Sequence, residues 1–409
     1  MARCISLQIM LASSPSRPPA HQNKPSSMST GLLIYENGPY WLYKAGLHTS
    51  DASLLLVDAK GATHLMASPI ELSEFRTKSI AQHIYTYTDA KKWIEKNDLK
   101  FSLINLVKFL MAKAKVNKLE IPLNFPARLF QFMQENKIDV TVTTRDPFFE
   151  EMAYLRADEI KKLQEAQNLA TSSIELARSL IAAAEVRSKN MLYLGGQPLT
   201  SERVQGEMNA YAAGLGALEF HGGPIVSCGL AAATPHDNGH GPLYANETIV
   251  VDCFPRHKNY YWGDCTRTCI KGKASPWQSK LIDTTIAVQE ALCAMIKPGA
   301  SGDLIQKTAT EMFDKAGFPT GEKKGENYGF THSVGHHIGL DMRGPGARTL
   351  TVGGGPVKAG HALTVEPGLY YPVNINGGIG GCRIEDIVVA TKTGHKNLTN
   401  LAKTPYLIP

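Results

Sequence analysis

The spacing of apolar and polar residues changes part-way along the chain. From Gly31 to about Met152, short apolar runs bounded by turn residues (LLIYENG, SLLLVDAKG, KLEIPLN) predict strands, and YTDAKKWIEKN and NFPARLFQFMQENK predict helices. The stretch reads as an α/β unit with few polar residues suited to catalysis, so a supporting or dimer-forming role is expected of it. From Ala153 the texture differs. LRADEIKKLQEAQNLATSSIELARSLIAAAEVR carries apolar residues at i, i+3 and i+4, which predicts one long helix packed on a sheet. A second helix is predicted over SERVQGEMNAYAAGLGA, with Thr200 or Ser201 as N-cap. A third includes Gln289 to Ile296 and ends at Lys297–Gly299. A fourth covers SGDLIQKTATEMFDKAGF, with Gly317 as C-cap candidate. Strands fall between and after these helices, without a solenoid-type repeat.

Four acids interrupt the apolar pattern. TIVVDCF and YYWGDCTRT read as strands joined by a turn around PRHKN. A hairpin centred on Lys258 sets Asp252 directly opposite Asp264, with β-carbons about 5 Å apart. Two like charges so placed repel, unless a cation lies between them, one acid stays protonated, or both reach solvent at a strand end. The two segments alone leave these options open. HALTVEPGLYYP puts Glu366 at the end of an apolar strand before a Pro-Gly turn, and GGCRIEDIVVA puts Glu385 inside another strand. Glutamate in a strand interior runs against propensity, and two such strands can form a second hairpin with both acids on one face. HSVGHHIG adds three histidines in a Gly-rich segment. Four strand-borne carboxylates and an imidazole suit divalent ions such as Mn, Co, Zn or Fe. Four carboxylates, one hydroxide and two divalent ions sum close to neutrality, which favours two metals over one in a buried cluster.

VVDCF…GDCTRT, HSVGHHIGLD, TVEPGLYYP and GCRIEDIVV resemble the motif set of the M24 metallopeptidases, the family of Xaa-Pro aminopeptidases, prolidases and methionine aminopeptidases. The resemblance covers about residues 155 to 405, plus a creatinase-type domain over about 30 to 150. It implies an α+β pita-bread catalytic domain, a curved antiparallel sheet covered by helices, behind a smaller α/β creatinase-type N-terminal domain. The expected boundaries are a disordered extension over 1–29, the N-terminal domain over 30–152 and the metallopeptidase domain over 153–409. Carried over, Asp252 binds one metal in a bidentate manner. Asp264 and Glu385 bridge both metals, and His336 and Glu366 bind the other. This full set argues against the metal-free creatinase branch. His236 and His332 match histidines that contact substrate, and Arg383 orients a ligand carboxylate. Thr266, Arg267 and Thr268 are read as support and Tyr261 as core packing. His221, His240, His257, His337 and His361 are read as structural or surface residues.

The implied reaction is hydrolysis of the Xaa-Pro bond at the N-terminus of peptides or dipeptides by a dinuclear centre with manganese preferred. His236 and His332 would steady the tetrahedral intermediate, and Glu366 would shuttle the proton to the leaving nitrogen. The sequence departs from the family at two positions. His337 replaces a glycine, and Arg343 stands where a histidine often contacts substrate. Arg343, or Arg348 nearby, would clamp a substrate carboxylate and favour dipeptides, or Arg343 pairs with an acid at the rim. Two alternatives remain: a hydrolase of a non-peptide C–N bond on the same fold, and a catalytically silent peptide-binding module.

Composition adds limits. A chain of 409 residues exceeds one ordinary core, and 43 % hydrophobic with 20 % charged residues is that of a globular protein. The net charge of +6 is a mild bias and predicts no nucleic-acid partner. Seven scattered cysteines without a CxxC pair predict reduced thiols, a cytoplasmic protein and no thiolate zinc site. Residues 13–28 are Pro/Ser-rich and expected to be disordered, the N-terminus makes a poor signal peptide, and an equally good reading has the functional chain begin near Met28 after a dispensable extension. No apolar run reaches the roughly 18 residues of a membrane span. The resemblance suggests a homodimer.

Overall fold

The computed structural model describes residues 29–343, 350–403 and 406–408. The expected extension, apart from Ser29, and Arg348 lie outside the described residues. The first unit is a mixed sheet. Its strands are β1 (Thr30–Glu36), β2 (Ser53–Val57), β3 (Thr63–Ala67), β4 (His83–Thr86), β5 (Lys118–Ile121) and β6 (Asp139–Val142), in the order β4-β3-β2-β1-β5-β6. Helices α1 (Pro39–Ala45), α2 (Leu72–Lys78), α3 (Tyr87–Lys96), α4 (Leu103–Ala114) and α5 (Ala127–Glu135) cover it. Thr86 and Asp89 close a capping box at the start of α3. The α/β character matches the sequence reading. β3, β4, β6, α1, α2 and α4 went unpredicted.

The long helix α6 (Ala157–Ala183) buries Leu163, Ala166, Gln167, Ala170, Ile174, Ala177 and Ile181 along one stripe. α7 (Ser201–Gly214) starts at Thr200, whose side chain accepts from the Arg203 amide. Both pack on the hairpin core built by β8 (Ile225–Cys228), β9 (Ile249–Cys253) and β11 (Cys265–Lys271). Between them, β7 (Ala217–Phe220) pairs with β10 (Pro255–His257). α8 (Pro276–Met295) and α9 (Gly302–Lys315) cover a second set of strands: β12 (Ala362–Val365), β13 (Gly368–Ile375), β14 (Gly378–Arg383) and β15 (Asp386–Ala390). Leu281, Ile282, Ile305 and Phe313 pack there against Val365, Leu369, Cys382 and Val388. The two strand sets meet edge to edge: the Glu385 amide donates to Thr266 O at 3.1 Å, and Thr268 Oγ1 donates to Arg383 O at 3.0 Å. Among the described residues no helix is long and apolar enough to cross a membrane.

Two local expectations need correction. Asp252 faces Thr266, not Asp264. Residues 255–257 leave the hairpin to pair with β7, which moves its centre and sets Asp264 one residue before the ladder begins at Cys265. Asp264 and Thr266 are two apart, so Asp252 and Asp264 share a face diagonally. Pro367–Gly368 is not a reversal either. The chain runs from β12 into β13, and the pairs Val365↔Asp386 and Gly368↔Arg383 keep one register, which sets Glu366 across from Glu385.

Candidate metal centre and active site

Three carboxylates come from the seam between the two strand sets. Asp252, Asp264 and Glu385 are buried, with one ligand oxygen of each lying within 4.8 Å of the others. His336 closes the group: its Nε2 is 3.3 Å from Glu366 Oε1 and 3.7 Å from Asp264 Oδ2. The backbone carbonyl of His337, 2.8 Å from Nδ1, can only accept, so Nδ1 carries a proton and Nε2 is the ring nitrogen turned to the acids. Thr364 fixes both partners, accepting from the His336 amide at 2.9 Å and donating to Glu366 Oε1 at 3.0 Å. Gly335 permits this approach, since a β-carbon there would lie 2.0 Å from Thr364 O.

Burial raises the affinity of Asp252, Asp264 and Glu385 for a proton, and the neighbouring acids raise it further. Arg383 acts against this at Asp252. Asp252 Oδ1 and Glu385 Oε1 are buried without a hydrogen-bond partner. Buried carboxylate oxygens in that state are costly, and a divalent cation is the partner that such a donor set fits.

Arg383 ties the acids to the cavity wall. Its Nη2 donates to Asp252 Oδ2 at 2.6 Å, and its Nε to Thr266 Oγ1 at 3.0 Å. Thr266 in turn donates to Glu385 Oε2 at 2.7 Å. Nη1 of Arg383 reaches the Tyr370 hydroxyl at 2.8 Å and the carbonyl of Pro235, the residue before His236, at 3.1 Å. His332 donates from Nδ1 to Ser333 O at 2.8 Å, so its Nε2 accepts from Tyr370 at 2.9 Å. Burial lowers the His332 pKa and favours the neutral ring.

Nine site residues named from the sequence line one cavity of about 320 Å³: Asp252, Asp264, His336, Glu366, Glu385, His236, His332, Arg343 and Arg383. Ile225, Phe254 and Met342 give it an apolar wall. The family model for metallopeptidase family M24 matches residues 161–392.

The chain belongs to the M24 metallopeptidases. Its sequence is 27 % identical over 354 residues to an uncharacterized peptidase of Staphylococcus saprophyticus, covering 85 % of this chain and 88 % of the relative. It is 30 % identical over 261 residues to Xaa-Pro aminopeptidase 1 of Streptomyces coelicolor, covering 59 % of this chain and 50 % of that protein. The prolidase of Pyrococcus horikoshii superposes with a TM-score of 0.72 at 20 % identity, over 92 % of this chain and 95 % of the prolidase. The architecture is the pita-bread fold behind an N-terminal α/β unit.

Some residues of this M24 site escaped the sequence reading. His221, read as structural or surface, lines the cavity. Tyr370 looks like any core tyrosine in GLYYP, and only the pairing of β13 with β14 brings it to Arg383. Tyr261 donates to Glu159 Oε1 at 2.9 Å inside a hydrophobic cluster, in keeping with its packing role. His337 and His361 are buried together with ring centroids 4.4 Å apart, away from the cavity.

Proposed function

We propose that this M24 metallopeptidase hydrolyses the Xaa-Pro bond at the N-terminus of peptides, with two divalent ions, manganese foremost. The observation that carries the reading is the set of four carboxylates and His336 around two buried carboxylate oxygens that lack partners. Asp252, Asp264, His336, Glu366 and Glu385 would hold the ions, with Asp264 and Glu385 shared between them. When bound, such ions supply Lewis-acid polarisation and an acidified water. Glu366 is the carboxylate open to solvent, with its side chain 18 % exposed against 8 % for Asp252 and 5 % for Asp264. It is therefore assigned the transfer of a proton to the leaving nitrogen. Both ring nitrogens of His332 are engaged, so His236 is the more available donor to the scissile carbonyl, and His332 holds the wall. The apolar side formed by Ile225, Phe254 and Met342 suits the pyrrolidine ring, which presents no N–H to be satisfied.

Arg343, exposed at the cavity, is assigned to the substrate carboxylate, which favours dipeptides. The domain division at about residue 152, a homodimer and a reducing cytoplasmic setting belong to the same proposal. The test is a mass-spectrometric screen of the Mn(II)-loaded protein, with a chelated control, against Xaa-Pro dipeptides and Xaa-Pro-Yaa tripeptides. Metal-dependent release of Xaa from dipeptides alone assigns a prolidase, and release from tripeptides assigns an aminopeptidase. A metal-loaded protein that cleaves neither overturns the proline reading in favour of a non-peptide C–N bond.

A further inference from the structure

The backbones of Asp264 and Glu385 are held by side chains that converge on one C-terminal segment. Gln167, in the middle of α6, is fully buried within a stripe otherwise made of residues such as Leu163, Ala166, Ala170 and Ile174. Its carboxamide takes both backbone groups of Asp264: Oε1 accepts from the amide at 2.9 Å, and Nε2 donates to the carbonyl at 2.8 Å. The same Nε2 donates to Thr399 Oγ1 at 2.8 Å, and that oxygen also accepts from the Ile387 amide at 2.9 Å. Arg267 donates to Glu385 O at 2.6 Å, to Leu401 O at 2.7 Å and to Ala402 O at 3.1 Å, and pairs with Asp386 at 2.7 Å. Asn397 donates to the other oxygen of Asp386 at 2.7 Å.

A buried carboxamide costs stability unless its groups are bonded. A core stripe ordinarily uses an apolar residue at such a place. Here the carboxamide is spent on the backbone of one acid and on the strap that reaches the other. Little slack exists at this point, because a β-carbon on Gly263 would lie 2.3 Å from Ala166 O. The helix backbone therefore touches the chain one residue before Asp264.

We infer that the segment Asn397–Ala402 is a strap that sets the separation of Asp264 and Glu385, with Gln167 and Thr399 as positioning residues. The inference rests on the reading that these two carboxylates are shared by a pair of divalent ions. Residues that orient ligands without touching the ion typically govern affinity by about 10- to 100-fold. The strap does so through the ligands' backbone.

The test is titration of the chelator-treated full chain with Mn(II), reading free ion by electron paramagnetic resonance. Wild type is compared with Thr399→Val, Thr399→Ser and Gln167→Met. The wild type is expected to take two ions per chain. Thr399→Val and Gln167→Met bind the second ion at least roughly tenfold more weakly, with the far-ultraviolet spectrum unchanged. Thr399→Ser keeps the accepting oxygen and restores the wild-type curve. Thr399 is only half-buried, so its variants decide the matter even where Gln167→Met fails to fold. Wild-type affinity in Thr399→Val, or a Thr399→Ser variant as weak as Thr399→Val, overturns the strap. A wild type that takes fewer than two ions overturns the dinuclear reading itself, a different and recognisable failure.

Discussion

Arg383 Nη2 lies 2.6 Å from Asp252 Oδ2, and this pair joins the acid cluster to the histidine side of the cavity. The same guanidinium reaches Thr266, Tyr370 and Pro235. A lysine would keep the charge and lose the fork. Arg383→Lys is expected to lower kcat/KM by about 100-fold and metal affinity by about tenfold, read by steady-state kinetics and metal titration. Arg383→Ala, which strands a buried carboxylate, should also lower stability by about 3 kcal/mol in denaturant unfolding.

Tyr370 connects Arg383 to His332 without approaching the acids as a ligand. Tyr370→Phe removes a hydrogen bond from a charged donor, worth about 1.5 kcal/mol, and frees His332 Nε2. We expect kcat to fall roughly tenfold, with KM and Mn(II) affinity close to wild type. A variant that loses metal instead would show that the hydroxyl serves the acids and not the histidine.

The raised pKa values of Asp252, Asp264 and Glu385 give the metal-free protein a pH signature. Their unfolded counterparts titrate near pH 4, so over the interval above that the folded state keeps protons that the unfolded state releases. This stabilisation is complete below about pH 4 and is lost as pH rises through the folded values. Added Mn(II) binds the deprotonated site and stabilises more as pH rises. Melting temperatures of chelated protein should therefore fall relative to Mn(II)-loaded protein as pH increases from 4 to 8. Parallel curves would contradict the cluster's proposed coupling to metal.

Arg343 separates the two substrate classes. Arg343→Ala is expected to raise KM for Xaa-Pro dipeptides about tenfold or more, the loss of one charge-assisted contact. It should leave tripeptide kinetics within about twofold. Equal effects on both, seen in parallel kinetic assays, would place Arg343 outside carboxylate recognition.

The site was largely legible because four acids break apolar strands and cannot be explained by packing. The hairpin register was less so. Pairing of Pro255–His257 with Ala217–Phe220 depends on a distant strand, and it moved Asp252 from Asp264 to Thr266. Tyr370 and Tyr371 are indistinguishable as letters, yet strand alternation turns one to His332 and the other to Pro319 O. Gln167 did leave a trace, a polar residue on the apolar stripe of α6, but its partners Asp264 and Thr399 are set by tertiary contact. In the N-terminal unit, short strands such as His83–Thr86 carry too little alternation to be read locally.

The central claim is that the buried carboxylates and His336 together hold two ions. Native mass spectrometry of Mn(II)-loaded protein tests it most directly, because it counts ions and displaced protons in one spectrum. The account predicts two manganese ions per wild-type chain, and one or none in Glu385→Gln and Asp264→Asn. A wild type carrying no more than one ion, or variants that keep both, would contradict it.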